Sequence, residues 1–181
     1  QDKSGTRYFF GDTPDSQQTN LSGTFRWCLR KILDLNGNFL TVTYAHDQGE
    51  VYVARIDYTG HEPTRLAPAN RVTFLLEDRP DDEVSYRSGF AVTTAKRLSA
   101  IETRSTIDAQ LSLARRDVLA YTLSPRTKRS LLTSVTQFGS DGTTSLPPAT
   151  FTYTKDPPTY LHCHNCVPSI SSGNHGWQLQ Y

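Results

Sequence analysis

The sequence contains no methionine and begins at Gln1. From this we expect a processed or excised piece of a longer chain rather than a complete reading frame. No run of apolar residues approaches the 18 or so needed to cross a bilayer, so no transmembrane helix is expected. No secretory leader is recognisable at the start either. Charge of one sign is also missing: 19 basic residues stand against 18 acidic, a net charge of +1. That balance gives no field to gather nucleic acid or an anionic membrane. Cysteine is scarce and odd in number, at three. Cys163 and Cys166 could pair and leave Cys28 single, which neither demands nor excludes an oxidising compartment.

Catalytic signatures are missing as well. There is no G-x-S-x-G elbow and no metalloprotease helix. Glycosidase chemistry needs two carboxylates at a fixed separation. Asp34, Asp47, Asp57 and Glu102 are present, but nothing in their spacing selects a pair. No Glu-x-Glu supports a transferase. The residues thus lean away from an enzyme.

What the sequence does hold is sheet. With 36% hydrophobic and 20% charged residues, a chain of 181 residues can bury a core and make one domain, or a slice of a larger one. Thr, Ser, Tyr and Phe are plentiful, which favours strands and turns. The organising stretch runs from Lys31 to Gly60. Asn36-Gly37 offers the positive φ of a tight primed turn, Gln48-Gly49 marks a second reversal, and apolar or β-branched runs flank both. In the last of these strands Tyr52, Ala54, Ile56 and Tyr58 fall on one face, with Val53, Arg55 and Asp57 on the other.

Around that stretch, Gly5–Gly11 reads as a short strand and Asp12–Gly23 as a polar loop. Thr24–Leu33 reads as a strand whose phase slips, as a bulge would cause. His61–Asn70 is a loop, and Arg71–Leu76 a strand that the charged run Glu77–Glu83 interrupts. Ser85–Thr94 resumes as strand or extended chain. Residues 105–120 fork. Ile107, Leu111, Ala114 and Val118 have helical spacing behind a Ser105 or Thr106 cap, whereas Leu119, Tyr121 and Leu123 alternate. Periodicity favours a helix. Ser130–Phe138 is a strand closed by a hairpin-type turn through Gly142, and Leu146–Tyr153 leads into one more.

Three segments in order carry a resemblance. The first is Asp34-Leu35-Asn36-Gly37-Asn38 with Tyr44, Gly49 and Ile56-Asp57-Tyr58-Thr59-Gly60. The second is Leu76-Glu77-Asp78-Arg79-Pro80-Asp81 with Ser85-Tyr86-Arg87-Ser88-Gly89-Phe90 and Thr94-Ala95-Lys96-Arg97-Leu98. The third is Arg129-Ser130-Leu131-Leu132-Thr133-Ser134-Val135 with Phe138-Gly139-Ser140-Asp141-Gly142 and Leu146-Pro147-Pro148-Ala149-Thr150-Phe151-Thr152-Tyr153. Over residues 5–153 the chain resembles the N-terminal region shared by the Salmonella virulence plasmid protein SpvB and the B components of insecticidal toxin complexes. The first segment also resembles a Rhs/YD repeat.

The resemblance implies an all-β fold, mainly an antiparallel meander of Rhs/YD-like hairpins, over residues 1–154, with residues 155–181 as a separate tail. It also implies a secreted or surface-associated, non-catalytic segment that helps build a shell or docking surface for other toxin segments or subunits. The family usually turns a hairpin on glycine between the positions aligned with Ile101 and Arg116. Here Glu102–Arg115 contains no Gly or Asn, which keeps the helix in competition.

Several stretches have chemistry to weigh. In the tail, His162, Cys163, His164 and Cys166, with His175, could contribute to a zinc site, although four ligands are required and no second C-x-x-C exists. A local disulfide or free thiols fit that stretch as well, and no cofactor is expected. Asp78, Asp81, Asp82 and Glu83 could hold calcium, but a solvated acidic loop paired with Arg79 and Arg87 fits the charge run better. Trp27, Tyr44, Tyr52, Tyr58, Tyr86 and Trp177 could stack on sugars. Most lie on the face assigned to the core, so packing is the stronger account. The alternative function is therefore a secreted carbohydrate-binding module, or a small carbohydrate-active enzyme, on the same sheet.

Overall fold

The computed structural model describes residues 1–21 and 23–153. Eleven strands and one short 3-10 turn make up its regular structure: β1 Arg7–Phe10, the turn Pro14–Ser16, β2 Gln17–Asn20, β3 Gly23–Trp27, β4 Leu29–Leu33, β5 Asn38–Asp47, β6 Glu50–His61, β7 Asn70–Ser85, β8 Val92–Ile107, β9 Gln110–Leu123, β10 Ser130–Phe138 and β11 Ala149–Thr150. Nine strands form one sheet in the order β1-β4-β5-β6-β7-β8-β9-β10-β11, and β2 and β3 pair as a separate ribbon. Every pairing is antiparallel. The all-β meander expected from the sequence is the fold.

The helix expected over 105–120 is absent; that region is the β8–β9 hairpin. Ile107 pairs with Gln110 across Asp108 and Ala109, both at positive φ (50° and 64°). Two consecutive left-handed residues make the tight turn without Gly or Asn. The helical spacing has a physical origin. The ladder slips between Thr103 and Arg104, leaving Ala114 as the extra residue between Leu113 and Arg115. One inserted residue moves the positions that share a face from the odd Leu111 and Leu113 to the even Arg116 and Val118. A bulged strand thereby imitates a helix.

Other expectations also shift. The loop read at Asp12–Gly23 contains the 3-10 turn and β2, and β2 pairs back on β3. The charged run stays within β7 but breaks its ladder. Asp78 pairs with Lys96 and Glu83 with Thr94, so residues 79–82 bulge opposite Ala95 alone. Of Leu146–Tyr153, only Ala149–Thr150 is strand. In the loop after β4, positive φ falls at Gly37 (86°) and not at Asn36. Gly37 N–H bonds to Asp34 C=O at 3.2 Å, and the Asp34 carboxylate accepts the Asn38 N–H at 2.8 Å. This is a four-residue loop closed by a left-handed glycine rather than a two-residue primed turn. Gln48-Gly49, at φ 47° and 82°, does make the two-residue turn.

The apolar core among the described residues is small: Leu33, Val42, Val51, Val92, Ala95 and Ala100. Among the described residues only the small β2–β3 ribbon lies outside the main sheet, so most side chains are only half-covered.

Candidate functional site

The sheet forks around the first half of β8. Strand β6 pairs with β7 only over Arg55–Tyr58 against Asn70–Thr73, and β9 joins β8 only from Ala100 onward. The stretch Val92–Ser99 therefore needs other partners for its backbone, since an unpaired buried amide or carbonyl is costly. Three contacts supply them. Thr93 N–H donates to Gln48 C=O at 3.0 Å, Lys96 N–H donates to the Tyr52 hydroxyl at 3.2 Å, and the Tyr121 hydroxyl donates to Leu98 C=O at 2.6 Å. The tip of the β5–β6 hairpin lies so close that a Cβ on Gly49 would stand 2.8 Å from Ala91 O. Behind that tip, Gln18 of the β2–β3 ribbon is 2% exposed; its side-chain amide donates to Gly49 C=O at 2.7 Å and its oxygen accepts from Arg26.

On the other side of the fork the β7 bulge reaches the head of β10. The Asp81 carboxylate accepts Arg79 (2.7 Å), the Ser130 N–H (2.8 Å) and the Ser130 hydroxyl. Arg97 donates to Ser130 Oγ at 2.8 Å and to Glu77 at 2.6 Å, and its guanidinium lies 4.4 Å from the Tyr121 ring centre. Glu83 pairs with Arg129 at 3.0 Å and Asp78 with Lys96. Hydrogen bonds from Arg79 and then Ser130 hold the Asp81 carboxyl far below the usual carboxylate range.

That geometry decides the chemistry. The Ser130 proton is committed to a carboxylate that is a very weak base, and no histidine stands between them, so the serine is not activated as a nucleophile. Asp81 has its lone pairs occupied. Within the acidic run Asp81 is paired with Arg79, Asp78 with Lys96 and Glu83 with Arg129, and among the described residues no three His, Cys, Asp or Glu side chains converge as a metal site. The cluster is a joint that fixes one ribbon against two neighbours.

Of the predicted turn residues, Gly49 stands at the fork itself. Gly37 closes the β4–β5 loop, Gly49 closes the β5–β6 turn, and Gly142 (φ 70°) stands in the loop after β10, beside Asn36 and Asp141 in their respective loops. Three hydrogen bonds from Thr143 and Thr144 hold the Asp141 carboxyl down at about 2. His162, Cys163, His164 and Cys166, with His175 and Trp177, lie outside the described residues. Cys28 is half-buried and free, and burial pushes its thiol up. Of the aromatics, Tyr44 and Tyr52 are half-buried and hydrogen-bonded, as expected for packing. Trp27 (56% exposed) and Tyr86 (71%) instead face solvent.

The two capping tyrosines and the Asp81–Ser130 contact had no signal in the sequence beyond the i, i+2 spacing of Arg79 and Asp81. Their partners lie 44, 23 and 49 residues away.

No family model matches the sequence, and no curated protein matches it either. Solved structures do match in fold. The N-terminal domain of effector protein SpvB from Salmonella typhimurium strain LT2 superposes with a TM-score of 0.66 at 13% identity, over 76% of this chain and 59% of that one. The Photorhabdus luminescens Tc holotoxin pore gives 0.68 at 16%, over 83% of this chain and 10% of that one. The TcdB2–TccC3 crystal structure gives 0.62 at 15%, over 80% and 10%. The chain thus spans three-fifths of the first and a tenth of the others, and at these identities the likeness is one of fold.

Proposed function

We propose that this chain is a non-catalytic structural segment of a toxin-complex B or SpvB-like protein, contributing strands to a shell or docking surface for other parts of the toxin. The observation that carries this reading is the forked β8 ribbon, fastened to its neighbours on both sides by polar contacts to its backbone and to the β7 bulge. The open sheet supports it. Strand β10 meets β11 over only two residue pairs, and β1 ends the sheet on the other side. Strand edges of this kind call for neighbours in a whole protein. The fold likeness to SpvB and Tc structures supports the same assignment. Its partners are then other segments or subunits of a toxin complex, and it works outside the producing cell. No helix among the described residues is long and apolar enough to cross a membrane, which leaves β-barrel insertion untouched.

One observation favours the second reading, a carbohydrate-binding module. Phe25 and Trp27 project from one face of β3 and are half exposed, as is Phe10 of β1. A glycan panel separates the two. The structural reading expects no saturable binding. Binding that is lost on Trp27→Ala with the fold intact would replace it with the sugar-binding one.

A further inference from the structure

Directly paired residues of antiparallel strands share a face, and two register rows place a band of arginines on one face across β6–β9. The first row is Asp57, Arg71 and Arg104; the second is Arg55, Thr73, Glu102 and Arg116. Asp57 is held by Arg71 at 2.6 Å and Arg55 at 3.1 Å, and Glu102 by Arg104 at 2.9 Å and Arg116 at 3.8 Å. The carboxylates lie beneath, with side chains 14% and 15% exposed, while the four arginines are 33–45% exposed. Two acids are thus shared among four guanidiniums, and the outward character of the band is cationic. Arg116 Nε in addition has no hydrogen-bond partner although it is shielded from water. The chain as a whole carries only +1, so this is a local concentration of charge.

We infer that this arginine band is a docking surface for an acidic, extended polypeptide segment. Its dimensions select the occupant. Strands spaced by 4.7–4.9 Å put Arg55 and Arg116 about 14 Å apart across the sheet, and the two rows lie about 7 Å apart. A single carboxylate or phosphate cannot bridge that span. An extended chain with acidic side chains at alternate positions repeats every ~7 Å and meets the guanidiniums in turn, each offering two parallel donors to a carboxylate. Charge complementarity of this kind fixes register and partner choice. The inference stands independently of the shell reading, because it rests on the register rows and not on the fork.

The test is fluorescence anisotropy of a labelled Glu-Thr repeat peptide titrated with the full chain at low salt and at about 0.15 M. The peptide is expected to bind, more weakly as salt rises, and a Lys-Thr repeat is expected not to. The double variant Arg55→Gln/Arg116→Gln leaves Asp57 with Arg71 and Glu102 with Arg104. It should bind at least about ten-fold more weakly with an unchanged melt. Arg115→Gln, on the opposite face, should bind as the parent does. Should the double variant not fold, Arg55→Gln alone is expected to show about a three-fold loss. Absence of peptide binding, equal binding by the variants, or tighter binding of a single-stranded oligonucleotide than of the peptide would overturn the inference.

Discussion

Asp81 in the β7 bulge and Ser130 at the head of β10 are joined by two hydrogen bonds, from the Ser130 N–H and its hydroxyl, although β8 and β9 lie between their strands in the sheet order. The contact explains why the charged run does not end β7. Arg79 and Ser130 turn the bulge into a hook, and the four bulged residues give the carboxylate its reach.

Because those hydrogen bonds hold Asp81 ionised, its contribution to stability is complete above the ordinary aspartate value of 3.8 and declines as pH falls below it. Asp81→Asn should therefore lower the melting temperature at pH 7, and the gap to the parent should narrow progressively in acid. Asp141 adds a second such dependence between 3.8 and about 2. Thermal melts from pH 7 to pH 2 measure both; a constant gap would mean that Asp81 does not act through its charge.

The fork predicts a matched pair of effects. Tyr52→Phe strips a partner from Lys96 N–H, and Tyr121→Phe strips one from Leu98 C=O. Each should destabilise by about 1 kcal/mol, the ordinary net worth of such a bond. Faster amide exchange at Lys96 in Tyr52→Phe alone would tie the loss to that backbone group.

Ala109 sits at φ 64° in the β8–β9 turn, where an L residue with a Cβ is strained. Ala109→Gly should therefore stabilise the chain, by up to about 1 kcal/mol once the greater freedom of glycine in the unfolded chain is set against the relief. Chemical denaturation reads the change directly. A midpoint moved downward would contradict the turn.

The opposite substitution applies at Gly37. Its φ is 86°, and a Cβ there would stand 2.3 Å from Pro63 Cδ. Gly37→Val should cost more than about 1 kcal/mol, since a β-branched residue at positive φ is strained even before it meets the proline. An unaltered melt would remove this loop from the account.

These cases show which parts of the structure could be read from residues alone. Alternation and glycine placed the β5–β6 hairpin and its Gln48-Gly49 turn, because both are local properties of a half-buried strand. The β8–β9 hairpin was hidden, because its turn uses Asp108 and Ala109 and its bulge at Ala114 shifts the apolar phase into a helical rhythm. Strand β2 was hidden in a polar stretch whose burial depends on Gln18 meeting Gly49, 31 residues away. The joint around Asp81 and Ser130 was illegible for the same reason. Its residues are ordinary surface types, made specific only by a fork in the sheet.

The most direct test of a sheet built to stand among neighbours is a thermal melt of the isolated chain by far-UV circular dichroism, paired with size-exclusion chromatography. The structural account predicts a β spectrum with a broad transition, or an associating species, because the open edges and the small core lack their complement. A sharp two-state transition from a compact monomer would contradict it and make this chain a self-sufficient binding domain.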